Sequence, residues 1–327
     1  MATSQASLNI YLSSSNDPYS NLALEQYIYG HTDKNCFALL LYVNAPSVII
    51  GRAQNPWMEV NMGAALKNNI PIARRQSGGG TVYHDLGNVN FCFFAPIAKH
   101  HVKQNLDCII NALASLSIPT YQSEKRHQIM FAHQHKEYKL SGSAFRQNKD
   151  RAFHHGTLLI DTNLDALEHY CTPMPAFASN IKTKAIASIR SSVTCLKTHF
   201  PSLNINSVKA AICQAYQKQF SNMRAKIHEV DGHLPFKEVH KYYQDLQSSS
   251  WKFGHQMRFN YTYCDQQTQE ALIDIQVEKG MITKITPLHP SCQGQCYKKN
   301  HHQRFLPLDK NGNFIDILEG LSKRKSI

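Results

Sequence analysis

Three consecutive glycines, Gly78-Gly79-Gly80, stand between an arginine pair, Arg74-Arg75, and the strand-forming run Thr81-Val82-Tyr83. Without a Cβ, glycine takes positive φ and lets main chain approach a ligand closely. The residues that follow are β-branched and aromatic, then the apolar run Val89 to Ala95, so this loop opens into strand and not into helix. The P-loop and the dinucleotide fingerprint both need a helix after their glycines, which excludes them here. Successive N–H groups of such a loop can still hold an anion. An Arg fork pairs well with carboxylate or phosphate oxygens. Three glycines alone would be a hairpin turn; the arginines beside them favour a bound anionic ligand.

The rest of the chain alternates helical and strand-like stretches. Residues 8–13 read as a strand, and Asn16 or Asp17 can cap a helix that has Pro18 in its first turn and Gly30 at its end. Residues 37–43 and 47–51 read as strands around a turn at Asn44-Ala45-Pro46, with Gly51-Arg52 placed where a loop reaches a ligand. Trp57 reads as a packing residue. Residues 58–69, 102–116 and 205–220 carry helical apolar spacing. Lys136 to Ala144 reads as a strand that breaks at Ser141-Gly142. Asp161 to Tyr170 begins as a loop and becomes a helix. The stretch 221–250 is polar and marks a domain boundary, and residues 251–288 alternate like strands with a turn at Lys279-Gly280.

At 327 residues the chain can bury a proper core in one large or two unequal domains. No apolar run approaches the length of a membrane span. Met1 to Ser7 is too polar for a secretory signal and lacks the arginines of a transit peptide, so a cytoplasmic protein is expected. Nine cysteines, an odd count scattered among apolar neighbours, suit reduced thiols better than a disulfide framework. His289, Cys292, Cys296, His301 and His302 form a loose group, but no second tight pair completes a zinc motif, so no metal site is expected. A formal charge of +12 brings nucleic acid to mind, yet no basic stripe interleaved with aromatics is present. A basic face for an acidic protein partner fits as well, and neither nucleic acid nor membrane is expected.

The block Arg74 to Asn88 resembles the signature of lipoate–protein ligases and their lipoyltransferase relatives, within the biotin/lipoate ligase superfamily. Further blocks follow in that family's order: Asp17 to Glu25, Gly51 to Trp57, Lys139 to Arg146 with Phe153 to Leu159, and Ser188 to Val193. The resemblance implies an α+β fold: a large catalytic domain with a mixed sheet, residues 1–247, and a small α/β accessory domain, 248–327, that swings about residues 245–250. It implies ATP with Mg²⁺, free lipoate as substrate, and a lipoyl-AMP intermediate. The acceptors would be lipoyl domains of 2-oxoacid dehydrogenase complexes and the glycine-cleavage H protein.

The same resemblance assigns site residues. Lys139 becomes the catalytic residue, touching both the acyl carbonyl and the nucleotide phosphate. As a compact cation beside small residues it could lower the barrier for attack on phosphorus. Arg75, Gly80, Thr81, Val82 and Tyr83 bind ATP with it, while Gly51, Arg52, Gly79 and His155 line the acyl site. Arg74 and Ser77 take lesser parts, and His84 and Asp85 order the loop. Of His154 and His155, one faces in and the other out. Gln128 departs from the pattern: the family has an acidic residue there, eleven positions before the lysine. That leaves room for a transferase that uses preformed lipoyl-AMP. A cysteine-dependent transferase is disfavoured, since no cysteine lies between Cys108 and Cys171. A lipoate or nucleotide sensor on an inactive ligase fold is the non-enzymatic alternative.

Overall fold

A computed structural model describes residues 7–33, 35–124, 126–231, 237–264, 268 and 270–292. The chain begins β1 (Leu8–Ser13), α1 (Pro18–His31), β2 (Phe37–Tyr42), β3 (Ser47–Ile50), α2 (Met62–Lys67), β4 (Ile72–Arg74), β5 (Val82–His84) and β6 (Asn88–Pro96). It continues α3 (Val102–Ser115), β7 (Tyr121–Gln122), β8 (Ile129–His133), β9 (Lys136–Lys139), β10 (Ser143–Gln147) and β11 (Arg151–Leu159). Next come α4 (Leu164–Tyr170), α5 (Pro175–Ala178), β12 (Ile181–Thr183), α6 (Leu196–His199), α7 (Ile205–Gln219) and β13 (Lys226–Val230). Then follow α8 (Lys237–Gln247), α9 (Ser249–Gly254), β14 (Phe259–Cys264), β15 (Ala271–Glu278) and β16 (Met281–Pro287).

A mixed six-stranded sheet in the order β10-β11-β6-β2-β1-β13 forms the centre, and the fold is α+β. Its inner strands are buried on both faces, so they read as continuous apolar runs. Period-two alternation sends Leu39, Leu41, Phe91 and Phe93 to one face, against Leu106, Ile109 and Leu113 of α3 and Val208 and Ile212 of α7. Ala38, Leu40, Cys92 and Phe94 go to the other, against Leu24 and Ile28 of α1. The antiparallel register pairs Leu39 with Phe93 and Leu41 with Phe91, which fixes both faces at once. Asp17 caps α1 by accepting from Tyr19 N at 2.9 Å, with Pro18 at the first position.

Three expectations change. The first helix runs through Gly30, because the N–H and hydroxyl of Thr32 both donate to Ile28 O and end it there. The strands β2 and β3 do not share a sheet: β3 pairs with β4 and β5 in a separate three-stranded sheet. Within the polar stretch 221–250, residues 226–230 and 237–247 form regular elements. Lys226–Val230 adds a parallel edge strand to β1, and α8 packs on α1. These elements bury little, α8 only Val239 and Leu246, so their apolar signal is faint.

The four-stranded antiparallel sheet β12-β14-β15-β16 takes its first strand from upstream of α8. Its Phe259, Tyr261, Ile273 and Ile275 share one cluster with Val48, Ile50, Trp57 and Tyr83. Trp57 is thus a packing residue. Of the loose His/Cys group, Cys296, His301 and His302 lie outside the described residues. Among the described residues no helix is long and apolar enough to cross a membrane.

Arg74 ties these parts together. It is 0% exposed and, among the described residues, has no carboxylate partner. Its Nη1 donates to the carbonyls of Gly51, Arg52 and Gln54 at 3.0, 2.9 and 2.8 Å. Nε donates to Trp251 O and Lys252 O, and Nη2 to Lys252 O at 2.6 Å. Trp251 Nε1 answers by donating to Arg74 O at 2.7 Å. The last turn of α9 leaves carbonyls without helical donors, and a cation suits that end. Arg74→Leu removes these donors and is expected to lower unfolding free energy by about 3 kcal/mol. Urea denaturation with an unchanged m-value measures it; an unshifted midpoint contradicts the clamp.

Candidate active site

The glycine loop joins β4 to β5. Gly79 has φ +82°, a conformation that favours glycine. Gly51 lies directly beneath it, and a Cβ at Gly51 would meet Gly79 O at 2.1 Å. Arg75 pulls the loop's carbonyls inward: Nη2 donates to Gly78 O at 2.6 Å and Gly80 O at 2.7 Å, and Nη1 to Ile49 O at 3.1 Å. The N–H groups of Gly79 and Gly80 make no hydrogen bond among the described residues, which leaves them for an anion.

Behind the loop runs a buried line of side chains. Arg75 Nε donates to Ser77 Oγ at 3.1 Å, Ser77 Oγ lies 2.6 Å from His155 Nε2, and His155 Nδ1 lies 2.8 Å from Glu25 Oε2. The order Ser, His, acid is that of a nucleophilic triad. Ser77 is 1% exposed, lines neither cavity described below, and already accepts from Arg75, so the line braces the loop. Cys92 brings a third metal-ligating atom near Glu25 and His155. Both ring nitrogens are engaged, however, and burial holds the thiol well above its ordinary pKa.

Two cavities adjoin the loop. The first, about 430 Å³, is lined by Arg75, Gly79, Gly80, Thr81, Val82, Lys139 and His155 among others, with Leu22, Tyr42 and Ile49 as apolar wall. The second, about 620 Å³, is lined by Tyr83, Leu140, Leu167 and Cys171, with the carboxylates of Glu59, Asp165 and Glu168. Thr81, Val82, Lys139, Gly142 and Thr157 line both. Lys139, at the end of β9, therefore stands on a shared wall. Its ammonium has no hydrogen-bond or ion-pair partner among the described residues. Burial, then the nearby Arg126, lower its pKa. Arg126 and Gln128 also line the first cavity, and among the described residues no carboxylate does.

Gly51 and Arg52, expected along the acyl wall, line neither cavity. Gly51 is the floor under Gly79, and Arg52 is exposed, its N–H donating to Ser77 O at 2.9 Å. His154 and His155 do point to opposite faces, but both are buried because β11 is covered on both sides. His154 packs against Phe91 and Phe93. Asp85 orders its loop by accepting from Gly87 N and Asn163 N. Cys171 reaches the second cavity, but burial pushes its thiol up to about 12, which leaves no thiolate to act as nucleophile. The carboxylates of the second cavity do not converge into a metal cage.

Sequence reasoning missed a latch. Ser188 N donates to Glu59 Oε1 at 3.1 Å and Ser188 Oγ donates to Glu59 Oε2. Ser188 Oγ in turn accepts from Thr81 N at 2.8 Å and Gln54 Nε2 at 3.0 Å. The strap 186–189 is thereby pinned over the glycine loop, lining the first cavity. Ser188 falls in a recognisable block; nothing in the sequence marks Glu59.

A loop that offers free N–H groups, an unpaired ammonium and two adjoining cavities define a site for a two-part anionic ligand. The lipoyl protein ligase A/B catalytic domain family matches residues 17–217, and the chain belongs to that family. The lipoate-protein ligase A of Psychrobacter cryohalolentis is 34% identical over 277 residues, covering 83% of this chain and 79% of that one. The protein of the same name from Bdellovibrio bacteriovorus is 33% identical over 332 aligned positions, covering 97% of this chain and 96% of that one. Among solved structures, P. falciparum LipL1 in complex with lipoate superposes with a TM-score of 0.64 at 25% identity, over 85% of this chain and 84% of that one.

Burial lowers the pKa of both His84 and His154 to about 3. In the unfolded chain both titrate near 6.5. The unfolded state therefore takes up protons first as pH falls. The stability from these neutral rings is complete above about pH 6.5 and is lost progressively toward pH 3. Calorimetry should show the melting temperature falling between pH 7.5 and 5, with a shallower fall in His154→Phe.

Proposed function

We propose that the protein is an ATP-dependent lipoate–protein ligase. The observation that carries this reading is the free Lys139 ammonium on the wall shared by the two cavities. The first cavity, with its apolar wall, suits the acyl chain, and the second suits the nucleotide. A carboxylate oxygen of lipoate attacks the α-phosphorus of ATP, the bond to pyrophosphate breaks, and lipoyl-AMP forms. Negative charge crowds at that centre, and a fixed cation there lowers the barrier. The ε-amine of an acceptor lysine then attacks the acyl carbonyl carbon. An amide forms, the bond to the phosphate oxygen breaks, and AMP leaves as the nitrogen loses its proton. Mg²⁺, when bound, would neutralise phosphate charge. Arg75 holds the loop in shape, and the latched strap shields the anhydride from water.

The acceptors are lipoyl domains of 2-oxoacid dehydrogenase complexes and the glycine-cleavage H protein, whose acidic character suits a chain of charge +12. Residues 1–247 carry the chemistry and 248–327 the accessory role, in a cytoplasmic protein. A swing of the accessory part about 245–250 has to release the carbonyl clamp of Arg74 on α9.

A second reading, a transferase fed with preformed lipoyl-AMP, is favoured by Gln128. It lines the first cavity beside Arg126, where no carboxylate among the described residues offsets the cations. One assay separates the two: apo acceptor domain with lipoate and Mg·ATP, or with lipoyl-AMP alone. The ligase gives product in both arms, the transferase only in the second, and a sensor in neither. Lys139→Ala is expected to lose about 10²- to 10³-fold in rate in the first arm. Full activity in that variant would falsify the role given to Lys139.

A further inference from the structure

The strap over the glycine loop is fixed at both ends and pinned between them at Ser188. Upstream, Ile181–Thr183 pairs with Tyr261, Asn260 and Phe259 as β12. Downstream, Lys139 N donates to Ser192 O at 2.9 Å. Packing does not hold the middle: Ile186 is 57% exposed and Ile189 66%. Gln54 Nε2 reaches Ile186 O only at 3.4 Å, and Arg190 Nη2 donates to Thr172 Oγ1 on the exposed surface. Ser188 is held differently. Its hydroxyl accepts from Thr81 N and Gln54 Nε2, which fills both lone pairs. Its one proton therefore goes to Glu59 Oε2, while Ser188 N donates to Glu59 Oε1. A hydroxyl so saturated has no capacity to shuttle a proton; it can only hold position. Glu59 is 5% exposed and, among the described residues, has no ion-pair partner. Burial raises its pKa, and the two bonds from Ser188 oppose that shift. A buried carboxylate without a cation is costly. An amide there would avoid the charge, but it has one acceptor oxygen, and its NH₂ would face a donor of Ser188. The contact explains the charge: two donors on one residue call for two acceptor oxygens.

Ala187, Ser188 and Ile189 of the strap line both cavities, and Lys139 stands on the wall these share. We propose that Glu59 is a positioning residue for the second half of the reaction: acting through Ser188, its carboxylate keeps the strap closed and so directs the acyl-adenylate to the acceptor amine instead of to water. Water competes by adding its oxygen to the acyl carbonyl carbon. The bond to the phosphate oxygen breaks, AMP leaves, the water loses a proton, and free lipoate results. The role asks for no contact between Glu59 and the reacting atoms. The inference rests on the ligase reading, in that it takes an acyl-adenylate as the species held between the cavities.

The test supplies preformed lipoyl-AMP to an excess of the full-length protein, with and without apo acceptor domain, and measures AMP and lipoylated acceptor. The ratio of the two products does not depend on how fast an adenylate is made. In the wild type nearly every AMP should come with a lipoylated acceptor. Glu59→Gln should raise the AMP released without acceptor about tenfold, as the loss of one hydrogen bond to a charged acceptor allows. Ser188→Ala should do the same, and the double variant no more than either single one, because both remove one contact. A general loss of stability would instead add up in the double variant. Trypsin reports on the strap itself: cleavage after Lys184 and Arg190, both exposed, should quicken in each variant. An unchanged product ratio in both single variants, additive effects in the double, or strap cleavage as slow as in the wild type overturns the proposal. Should Glu59→Gln fail to fold, Ser188→Ala, in the strap, decides alone. If the wild type neither makes lipoyl-AMP nor uses it, the ligase reading falls and this proposal falls with it. If it uses lipoyl-AMP but makes none from lipoate and Mg·ATP, the ligase reading falls and the product ratios still decide this one.

Discussion

The grip of the Arg75 guanidinium on two carbonyls of the glycine loop is the contact on which the site depends. Three glycines could adopt many conformations, and glycine loses more freedom on folding than any other residue. Arg75 removes that freedom by donating to Gly78 O and Gly80 O, and Ile49 O anchors it to β3. Turning the carbonyls toward the cation leaves the N–H groups of Gly79 and Gly80 available. The Ser77–His155–Glu25 line then fixes the arginine from behind, and Glu25 supplies the opposite charge that a buried guanidinium requires. A loop with two unengaged N–H groups among the described residues is in this way held open by a buried cation.

The neighbouring arginine does a different job for a geometric reason. Along a strand, successive side chains point to opposite faces. Arg74 closes β4 and faces α9, while Arg75, one residue on, faces the loop and β11. One side chain therefore joins the C-terminal helix and sheet to the site, and the other shapes the site itself. Both are buried, and burial lowers both pKa values to about 10, so each stays charged in neutral solution. Among the described residues, Arg74 does so on carbonyl oxygens, the Gln256 side-chain amide among them. Such a cation is tolerable because five main-chain acceptors converge on it, from Gly51, Arg52, Gln54, Trp251 and Lys252.

How far the sequence revealed this follows from what kind of contact was involved. The strand after the glycines, the helices 102–115 and 205–219 and the hairpin at Lys279-Gly280 announce themselves, because apolar spacing and turn chemistry are side-chain properties. The motif blocks stand in order, and the fold brings their Lys139 and glycine loop to one cavity. The clamp of Arg74 was not, since carbonyl acceptors carry no residue identity. The same holds for the edge strand β13 and for α8, which bury few apolar side chains. Glu59 stayed hidden because its partner, Ser188, lies far along the chain.

The balance of charge around the cavities brings these strands together. Arg75 has Glu25 within its network, and Arg74 has converging carbonyls, so the two buried guanidinium groups are satisfied inside the protein. Lys139 has neither. Arg126 lies near enough to lower its pKa further, and Gln128 on the same wall adds no charge. Lys139 and Arg126 repel each other across this cavity, and with no carboxylate on its wall among the described residues an incoming anion would relieve that repulsion. A carboxylate and a phosphate arriving from the two cavities would meet at this ammonium. The charge left open by the fold thus stands on the wall that the two cavities share, where the proposed reaction would join its two halves.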